Sequence, residues 1–464
     1  MPVWKFIMNL ETNNKIQKKG ITLVIPNPCG NIKETKMKNS DIEWIGEIPD
    51  DWEVSKIGQL YEERKTKVSD TVYPPLSVTM QGILPQLETA AKSDAHDDRK
   101  LVLKGDFAIN SRSDRRGSCG ISEFDGSVSL INTVLHPKTE MNPIYYNWLF
   151  HSFRFSDEYY KNGHGIVDDL WTTSWTEMKK IFIPLPPKET QQCIATYLDK
   201  KCSKIEETIQ NQQQVIEKLK AYKQSLITEA VTGKVKIENG KVCGEYENYK
   251  DSGVEYLGKI PSNWKAKRLR YIGKCQNGIS KGGEFFGSGY PFVSYGDVYN
   301  NLVLPETVSG LIESTHEEQE NYSVKAGDIF FTRTSETIEE VGFTSVCLKT
   351  IENATFAGFV IRVRPFTDEL IPDYSKYYFS SDAHRRFFVK EMNLVTRASL
   401  SQDLLKRLPI LIPSKEKQKE IADYLDKKCT AIDTAIEQKQ NLIEKLTEYK
   451  KSLIYECVTG KKGI

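Results

Sequence analysis

Two short loops hold the side chains best suited to recognition chemistry. The first is Asn110-Ser111-Arg112-Ser113-Asp114-Arg115-Arg116-Gly117, and the second is Thr332-Arg333-Thr334-Ser335. A guanidinium is a planar fork that can bond O6 and N7 of guanine together. Ser, Thr, Asn and Gln contact phosphates or base edges. The candidates for nucleic-acid contact are therefore Ser77, Thr79, Gln81, Arg112, Ser113, Arg115 and Arg116 in the first half of the chain. In the second half they are Ser294, Tyr295, Arg333, Thr334, Arg397 and Ser399. Taken singly, each reads as readily as a solvated loop residue or a turn former. The cluster of Arg112, Arg115 and Arg116 stands out because it concentrates charge.

The residue types that bond-breaking chemistry needs are not spaced for it. No Gly-x-x-x-x-Gly-Lys-Ser/Thr loop occurs, and Thr232-Gly233-Lys234 follows a helical stretch where a phosphate cradle would open one. No glycine-rich strand-turn for S-adenosylmethionine is present; Asn27-Pro28-Cys29-Gly30 matches a methyltransferase motif only loosely. Asp50, Asp51 and Glu53 are replaced by Ser262, Asn263 and Lys265 in a second copy of the same motif, so they read as surface. The six histidines lack ligand spacing, and the nine cysteines contain no Cys-x-x-Cys pair. They read as reduced thiols of a cytoplasmic protein. Trp171 and Trp175 read as core. The expectation is a non-catalytic chain with no metal site.

The elements that position the loops come in two copies. Tyr197-Leu198-Asp199-Lys200-Lys201-Cys202 returns as Tyr424-Leu425-Asp426-Lys427-Lys428-Cys429, and Val231-Thr232-Gly233-Lys234 returns as Val458-Thr459-Gly460-Lys461. Upstream, Glu43-Trp44-Ile45-Gly46-Glu47-Ile48-Pro49 with Trp52 returns as Glu255-Tyr256-Leu257-Gly258-Lys259-Ile260-Pro261 with Trp264. An internal repeat fixes the architecture before any motif does. Between opening motif and long helix the copies are only weakly similar, which predicts one frame carrying two heads of different content. Leu76–Thr79, Phe107–Ile109, Phe292–Ser294, Ile329–Phe331 and Phe359–Val363 read as strands. Lys104-Gly105-Asp106 and Ala326-Gly327-Asp328 read as matched turns.

Residues 188–232 contain neither proline nor glycine. Ile205, Ile209, Ile216, Leu219 and Leu226 follow a heptad stripe interrupted by Gln212 and Lys223. Ile432, Ile436, Ile443, Leu446 and Leu453 repeat it, interrupted by Lys439 and Lys450. Two like stripes that meet reciprocally do so about a two-fold axis, which makes the helices antiparallel. The competing reading packs each helix on its own head. Ser414 is a suitable cap for the second helix, Pro187 suits a first turn, and Gly233 and Gly460 suit left-handed ends.

The fold class expected is thus α/β (α+β): two heads joined by two long α-helices in an antiparallel coiled coil, an internal pseudo-two-fold repeat. The boundaries read as an N-terminal extension 1–40, head one 41–187, helix 188–233, linker 234–252, head two 253–414, helix 415–460 and tail 461–464. Met37 reads as a working start, with a flexible tail as the alternative for the residues before it. A chain of 464 residues with 39% hydrophobic side chains can build several cores. Its net charge of +1 gives no global basic field, which does not exclude DNA. No run of about 18 apolar residues is present, so no membrane partner is expected.

The Ile-Gly-x-Ile-Pro-x-x-Trp opening, the Ile-Pro-x-Pro-like exit and Tyr-Leu-Asp-Lys-Lys at the head of a long helix, each in order and twice, resemble the specificity subunit of type I restriction-modification systems. The resemblance covers residues 41–464. It implies two target-recognition domains that read double-stranded DNA and antiparallel helices of near-constant sequence. The implied partners are two methyltransferase subunits and two restriction (translocase and endonuclease) subunits. S-adenosylmethionine, ATP and Mg would belong to those partners, with no cofactor on this chain. A coiled-coil scaffold without a DNA role and a fused methyltransferase are the competing readings.

Overall fold

The computed structural model describes residues 36–86, 97–112, 115–165, 171–335, 340–391 and 398–463. Ser113 and Arg397 lie outside them, as does the segment before Lys36. The chain divides into two compact units. One runs to Asn211 and takes in Leu442–Ile464; the other is Gln212–Asn441. Each unit therefore contains a head and a length of both long helices.

In the first unit the opening motif folds as a strand pair, Met37–Asn39 against Glu47–Pro49. The chain enters the head at Glu53–Lys56 and leaves it at Phe182–Leu185, and these strands pair antiparallel, stapling the base. Between them lies an antiparallel sheet in the order Cys119–Ile121, Phe107–Asn110, Asn132–Pro137, Tyr61–Glu63. The turn before Phe107 has Gly105 at φ +89. There Asp106 accepts the Leu103 N–H at 2.9 Å and a two-pronged bond from Arg64 at 2.6 and 2.9 Å. A buried carboxylate held by a guanidinium fork is a stronger fixture than an exposed pair.

The second unit repeats the plan. Tyr249–Asp251 pairs with Lys259–Pro261, and Lys265–Arg268 pairs with Pro409–Ile412. Its four-stranded sheet runs Gly273–Asn277, Val360–Pro365, Ile329–Thr332, Thr344–Val346, the same connectivity as the first. Gly327 takes φ +89, and Asp328 is gripped by Arg364 at 2.7 and 2.6 Å. Within residues 234–252, expected as a linker, Ile237–Glu238 and Lys241–Val242 form a hairpin. It is fastened to the second long helix by Asn239 N–H on Glu420 at 2.8 Å and Lys417 Nζ on the Ile237 carbonyl at 2.8 Å.

The long helices are Lys188–Val231 and Lys415–Val458, 44 residues each, or about 66 Å at 1.5 Å per residue. Each starts on a buried glutamine. Gln191 donates to the Pro186 carbonyl and accepts from Asn142 N–H; Gln418 donates to the Pro413 carbonyl and accepts from Ile371 N–H. Ser414 Oγ takes the Lys417 N–H at 3.3 Å, as a cap does. Each helix ends at a glycine in the left-handed region, Gly233 at φ +70 and Gly460 at φ +73.

The helices run antiparallel. In the first unit Lys450, late in the second helix, pairs with Glu206, early in the first. In the second unit Lys223, late in the first helix, pairs with Asp433, early in the second, at 2.7 Å. These are the same two repeat positions with the roles exchanged. Gln212 and Lys439, one position in the two copies, bond to each other at 2.9 Å. Every polar interruption of the stripe thus has a partner on the facing helix. Ile205 and Leu453 belong to the core of the first unit, with Ile209 and Leu446 against it; Leu226 and Ile432 belong to that of the second, with Leu219 and Ile436 against it. Ile216 is buried and Ile443 half-buried. A buried Leu or Ile contributes roughly 1.5–3 kcal/mol and an exposed ion pair below about 1 kcal/mol, so the apolar stripe holds the helices and the polar pairs select their register.

The helices also complete the head cores. Leu198, Cys202, Ile454, Cys457 and Val458 share one cluster with Trp44, Trp52, Tyr145 and Phe155. The Tyr145 hydroxyl donates to the Val458 carbonyl at 2.8 Å, and Tyr374 to that of Val231 at 3.2 Å. Trp148 Nε1 donates to Asp199 at 2.7 Å, while Tyr377 donates to Asp426, the same repeat position, at 2.6 Å.

Candidate nucleic-acid interface

In head one the arginine loop leaves the sheet at the end of strand Phe107–Asn110. Asn110 Oδ1 accepts the Arg112 N–H at 3.0 Å, and Arg115 N–H returns to the Arg112 carbonyl at 3.2 Å. The left-handed Gly117 (φ +76) then leads the chain to strand Cys119–Ile121. Tyr160 braces the turn from behind, its hydroxyl donating to the carbonyls of Asn110 at 3.3 Å and Arg115 at 3.4 Å. Arg112, Arg115 and Arg116 are all exposed. The Arg116 guanidinium lies 5.1 Å over the Tyr160 ring and 3.7 Å from Asp157. Arg112 forms an isolated bridge with Thr172, and Thr173 N–H bonds the Ser111 carbonyl at 3.0 Å. Trp171, half-buried, ties the same segment down through Nε1 on the Tyr160 carbonyl at 2.8 Å, and Trp175 packs on the core.

Ser77, Thr79 and Gln81 belong to the hairpin Leu76–Thr79/Gly82–Pro85. Thr79 is occupied by the turn: its hydroxyl donates to the Gly82 carbonyl at 2.9 Å and accepts the Gln81 N–H at 3.1 Å. Ser77 is half-buried and Gln81 exposed. Gly82 lies against Gly120, where a Cβ on Gly120 would sit 2.9 Å from the Gly82 Cα. That contact sets the hairpin tip beside the strand that continues from the arginine loop.

In head two Arg333, Thr334, Ser399 and Tyr295 come together. Arg333 N–H bonds the Phe359 carbonyl at 2.9 Å, and its carbonyl accepts the Leu400 N–H at 2.7 Å. Thr334 pairs with Ser399 in a short antiparallel ladder, Thr334–Ser335 with Ala398–Ser399. The Tyr295 hydroxyl donates to the Thr334 carbonyl at 3.0 Å, and burial pushes its pKa up, so it stays a donor. Ser294 is spent elsewhere: it caps helix Tyr295–Asn300, its Oγ accepting the Asp297 N–H at 3.1 Å and donating to the Asp297 carboxylate at 2.6 Å.

The frames match while the side chains differ. The strands Phe107–Asn110 and Ile329–Thr332 hold the same place in their sheets. Ser111-Arg112 continues the strand in one head, and Arg333-Thr334 continues it in the other. Arg112 faces Thr172 where Thr334 faces Ser399. Nothing in the sequence spacing pointed to Thr172, which reaches the arginine loop only through the fold. Phe359, read from sequence as part of a strand, lies in a turn before Val360 and is exposed. Burial pushes the thiols of Cys202, Cys275 and Cys429 up to about 11, which keeps these three protonated.

The model for the type I restriction modification DNA specificity domain matches this chain twice, at residues 49–221 and 261–446. The chain belongs to the type I restriction-modification specificity subunit family. Among its relatives, the EcoKI specificity subunit of Escherichia coli (strain K12) is 25% identical over 289 residues, covering 61% of this chain and 58% of that subunit. The MjaVIII specificity subunit of Methanocaldococcus jannaschii is 25% identical over 429 residues, covering 89% and 93%. Two solved structures share the fold. A chain from work on complex assembly and conformational transition of the type I R-M system has a TM-score of 0.68 at 16% identity, covering 89% of this chain and 99% of that one. The HsdS subunit from Thermoanaerobacter tengcongensis has a TM-score of 0.50 at 17% identity, covering 89% and 98%. Each half of the specificity-subunit match runs from a head into the long helix that follows it. Among the described residues, no helix is long and apolar enough to cross a membrane.

Proposed function

We propose that this chain is the DNA-reading, non-catalytic subunit of a type I restriction-modification complex, with each head reading one half of an asymmetric, two-part site. The observation that carries this is the matched mount with unlike side chains: Arg112 with Thr172 in one head, Thr334 with Ser399 in the other. A fixed frame with variable contacts is what two independent readers of different sequences require. A bidentate arginine on guanine discriminates by about 1–3 kcal/mol, enough to set one base of a half-site. Gln81, Thr334 and Ser399 suit base edges or phosphates.

Under this reading the paired helices set the gap between half-sites. Heads placed one duplex turn apart, roughly 34 Å, meet the same face of DNA, and the bases between are crossed unread. The helix faces outside the stripe, with parts of both heads, hold two methyltransferase subunits and, with them, two translocase–endonuclease subunits. S-adenosylmethionine, ATP and Mg are used there, in the cytoplasm, where adenine is extruded from the stack and methylated at N6. This chain supplies position. Phosphate contacts make the affinity fall with salt.

The test is selection of bound duplexes from a random pool by the full chain, co-expressed with its host's methylating subunits. The expected product is one motif of two unlike halves around a constant gap. A palindromic motif, or none, would reject the reading, and tight binding of S-adenosylmethionine by the isolated chain would favour an enzyme.

A further inference from the structure

Phe359 is an aromatic side chain out of place. Its neighbours Phe356 and Val360 are buried, yet Phe359 is 64% exposed. It is also rigidly mounted. Val360 N–H closes the turn on the Ala357 carbonyl at 2.9 Å, and Gly358 N–H bonds the Ile279 carbonyl at 2.8 Å. Gly358 packs so closely on Ser280 that a Cβ there would lie 2.2 Å from its Oγ. The Phe359 carbonyl takes the Arg333 N–H, which sets the ring's backbone directly beside that of the arginine. Head one keeps the arrangement with another residue. There Ser111 N–H bonds the Ile131 carbonyl at 3.3 Å, and Ile131 is 38% exposed. Both heads thus hold an apolar side chain in the open, one backbone hydrogen bond from the recognition loop.

An exposed Phe ring forgoes the free energy that burial would give it in the free protein. Beside an arginine loop, it has the chemistry of a wedge that enters a base step and stacks on the opened face. We propose that Phe359 is a specificity-determining residue of head two, stacking on a base pair of its half-site and selecting a step that unstacks at low cost. Pyrimidine–purine steps are the easiest to open, so the half-site read by head two carries one at that position. Ile131, smaller and without a π face, makes an apolar contact in head one with less opening. The inference rests on the heads being DNA readers, as proposed above.

Selection from a random duplex pool tests it, using the full chain with its methylating subunits as wild type, Phe359→Ala, Phe359→Trp and Phe359→Leu. Phe359→Ala is expected to weaken binding roughly tenfold and to erase the preference at one step of one half-site, leaving the other half intact. Phe359→Trp should keep that preference, and Phe359→Leu should fall between. Because the ring is exposed, thermal unfolding should be unchanged. A 2-aminopurine at the selected step should brighten on binding wild type and not Phe359→Ala. An unchanged motif and affinity for Phe359→Ala, or equal loss at both halves, overturns the proposal, as does loss of the methylating subunits from the complex with DNA preference retained. Arg333→Ala separates the two ideas. If it alters the motif and Phe359→Ala does not, stacking alone is wrong; if neither does, head two is no reader.

Discussion

Gly460 is packed so tightly on Pro49 that a Cβ would lie 2.3 Å from the proline Cδ, and Gly233 stands in the same relation to Pro261 at 2.4 Å. Trp52 and Trp264 complete the two contacts, at 3.1 and 3.3 Å from such a Cβ. The repeated Val-Thr-Gly-Lys at each helix end is therefore the counterpart of a repeated Ile-Pro-x-x-Trp opening. The last turn of the second helix closes the core of the first unit, and the last turn of the first closes that of the second. Both glycines also hold left-handed backbone, which costs another residue about 1–2 kcal/mol before any clash.

Gly460→Ala and Gly233→Ala should each destabilise the unit that holds them by about 3 kcal/mol or more, strain and overpacking together. Urea unfolding with a tryptophan signal reads this. Wild-type stability in either variant would contradict the docking of helix end on opening motif.

The ion pairs across the helices should contribute little. A double-mutant cycle on Lys223 and Asp433, both partly in solvent, should give a coupling below about 1 kcal/mol. Leu226→Ala and Leu453→Ala, both deeply buried, should cost about 2–5 kcal/mol. The reverse order would mean that charge, not the apolar stripe, holds the helices.

The stripe was legible because heptad spacing is local, and the polar interruptions Gln212, Lys223, Lys439 and Lys450 were visible as such. Their partners were not: Glu206 and Asp433 lie off the stripe and meet the lysines only once the helices are antiparallel. The strands Phe107–Asn110 and Ile329–Thr332 were readable from their apolar runs. Phe359 was misplaced because an apolar residue before a buried strand has the same sequence signature whether it faces core or solvent. Ser294 had the composition of a contact residue and proved to be a helix cap, since Ser suits both tasks. Thr172 was invisible, because its neighbour Arg112 is distant in the chain and no periodicity links them.

His384 offers a pH test. Its ring is packed between Phe379 and Phe388, and burial, then the charge of Arg385, lowers its pKa to about 3. The folded value lies below the unfolded value near 6.5, so the neutral ring favours folding above that pH. As pH falls from about 6.5 towards 3, the unfolded state takes up a proton that the folded state refuses, and stability drops by up to about 1.4 kcal/mol per unit from this group. Phe155 holds the corresponding place in head one, among Trp44, Phe150 and Tyr159. His384→Phe should therefore flatten the acid-side slope of the second unit's unfolding free energy. An unchanged slope between pH 4 and 6 would show that His384 is not the group responsible.

The gap between half-sites should follow helix length. Four residues inserted after Gln212, where the two copies meet through Lys439, should change the preferred gap in a methylation map. An unchanged gap would retire the helices as spacers.

Separate reading by the two heads is tested most directly by the sites that two variants select. With Arg112, Arg115 and Arg116 all changed to alanine, duplex selection should return a motif relaxed in one half, with the other half and the gap as in wild type. Arg333→Ala with Thr334→Ala should relax the opposite half. If either variant degrades both halves equally, or if both variants relax the same half, the heads do not read independently.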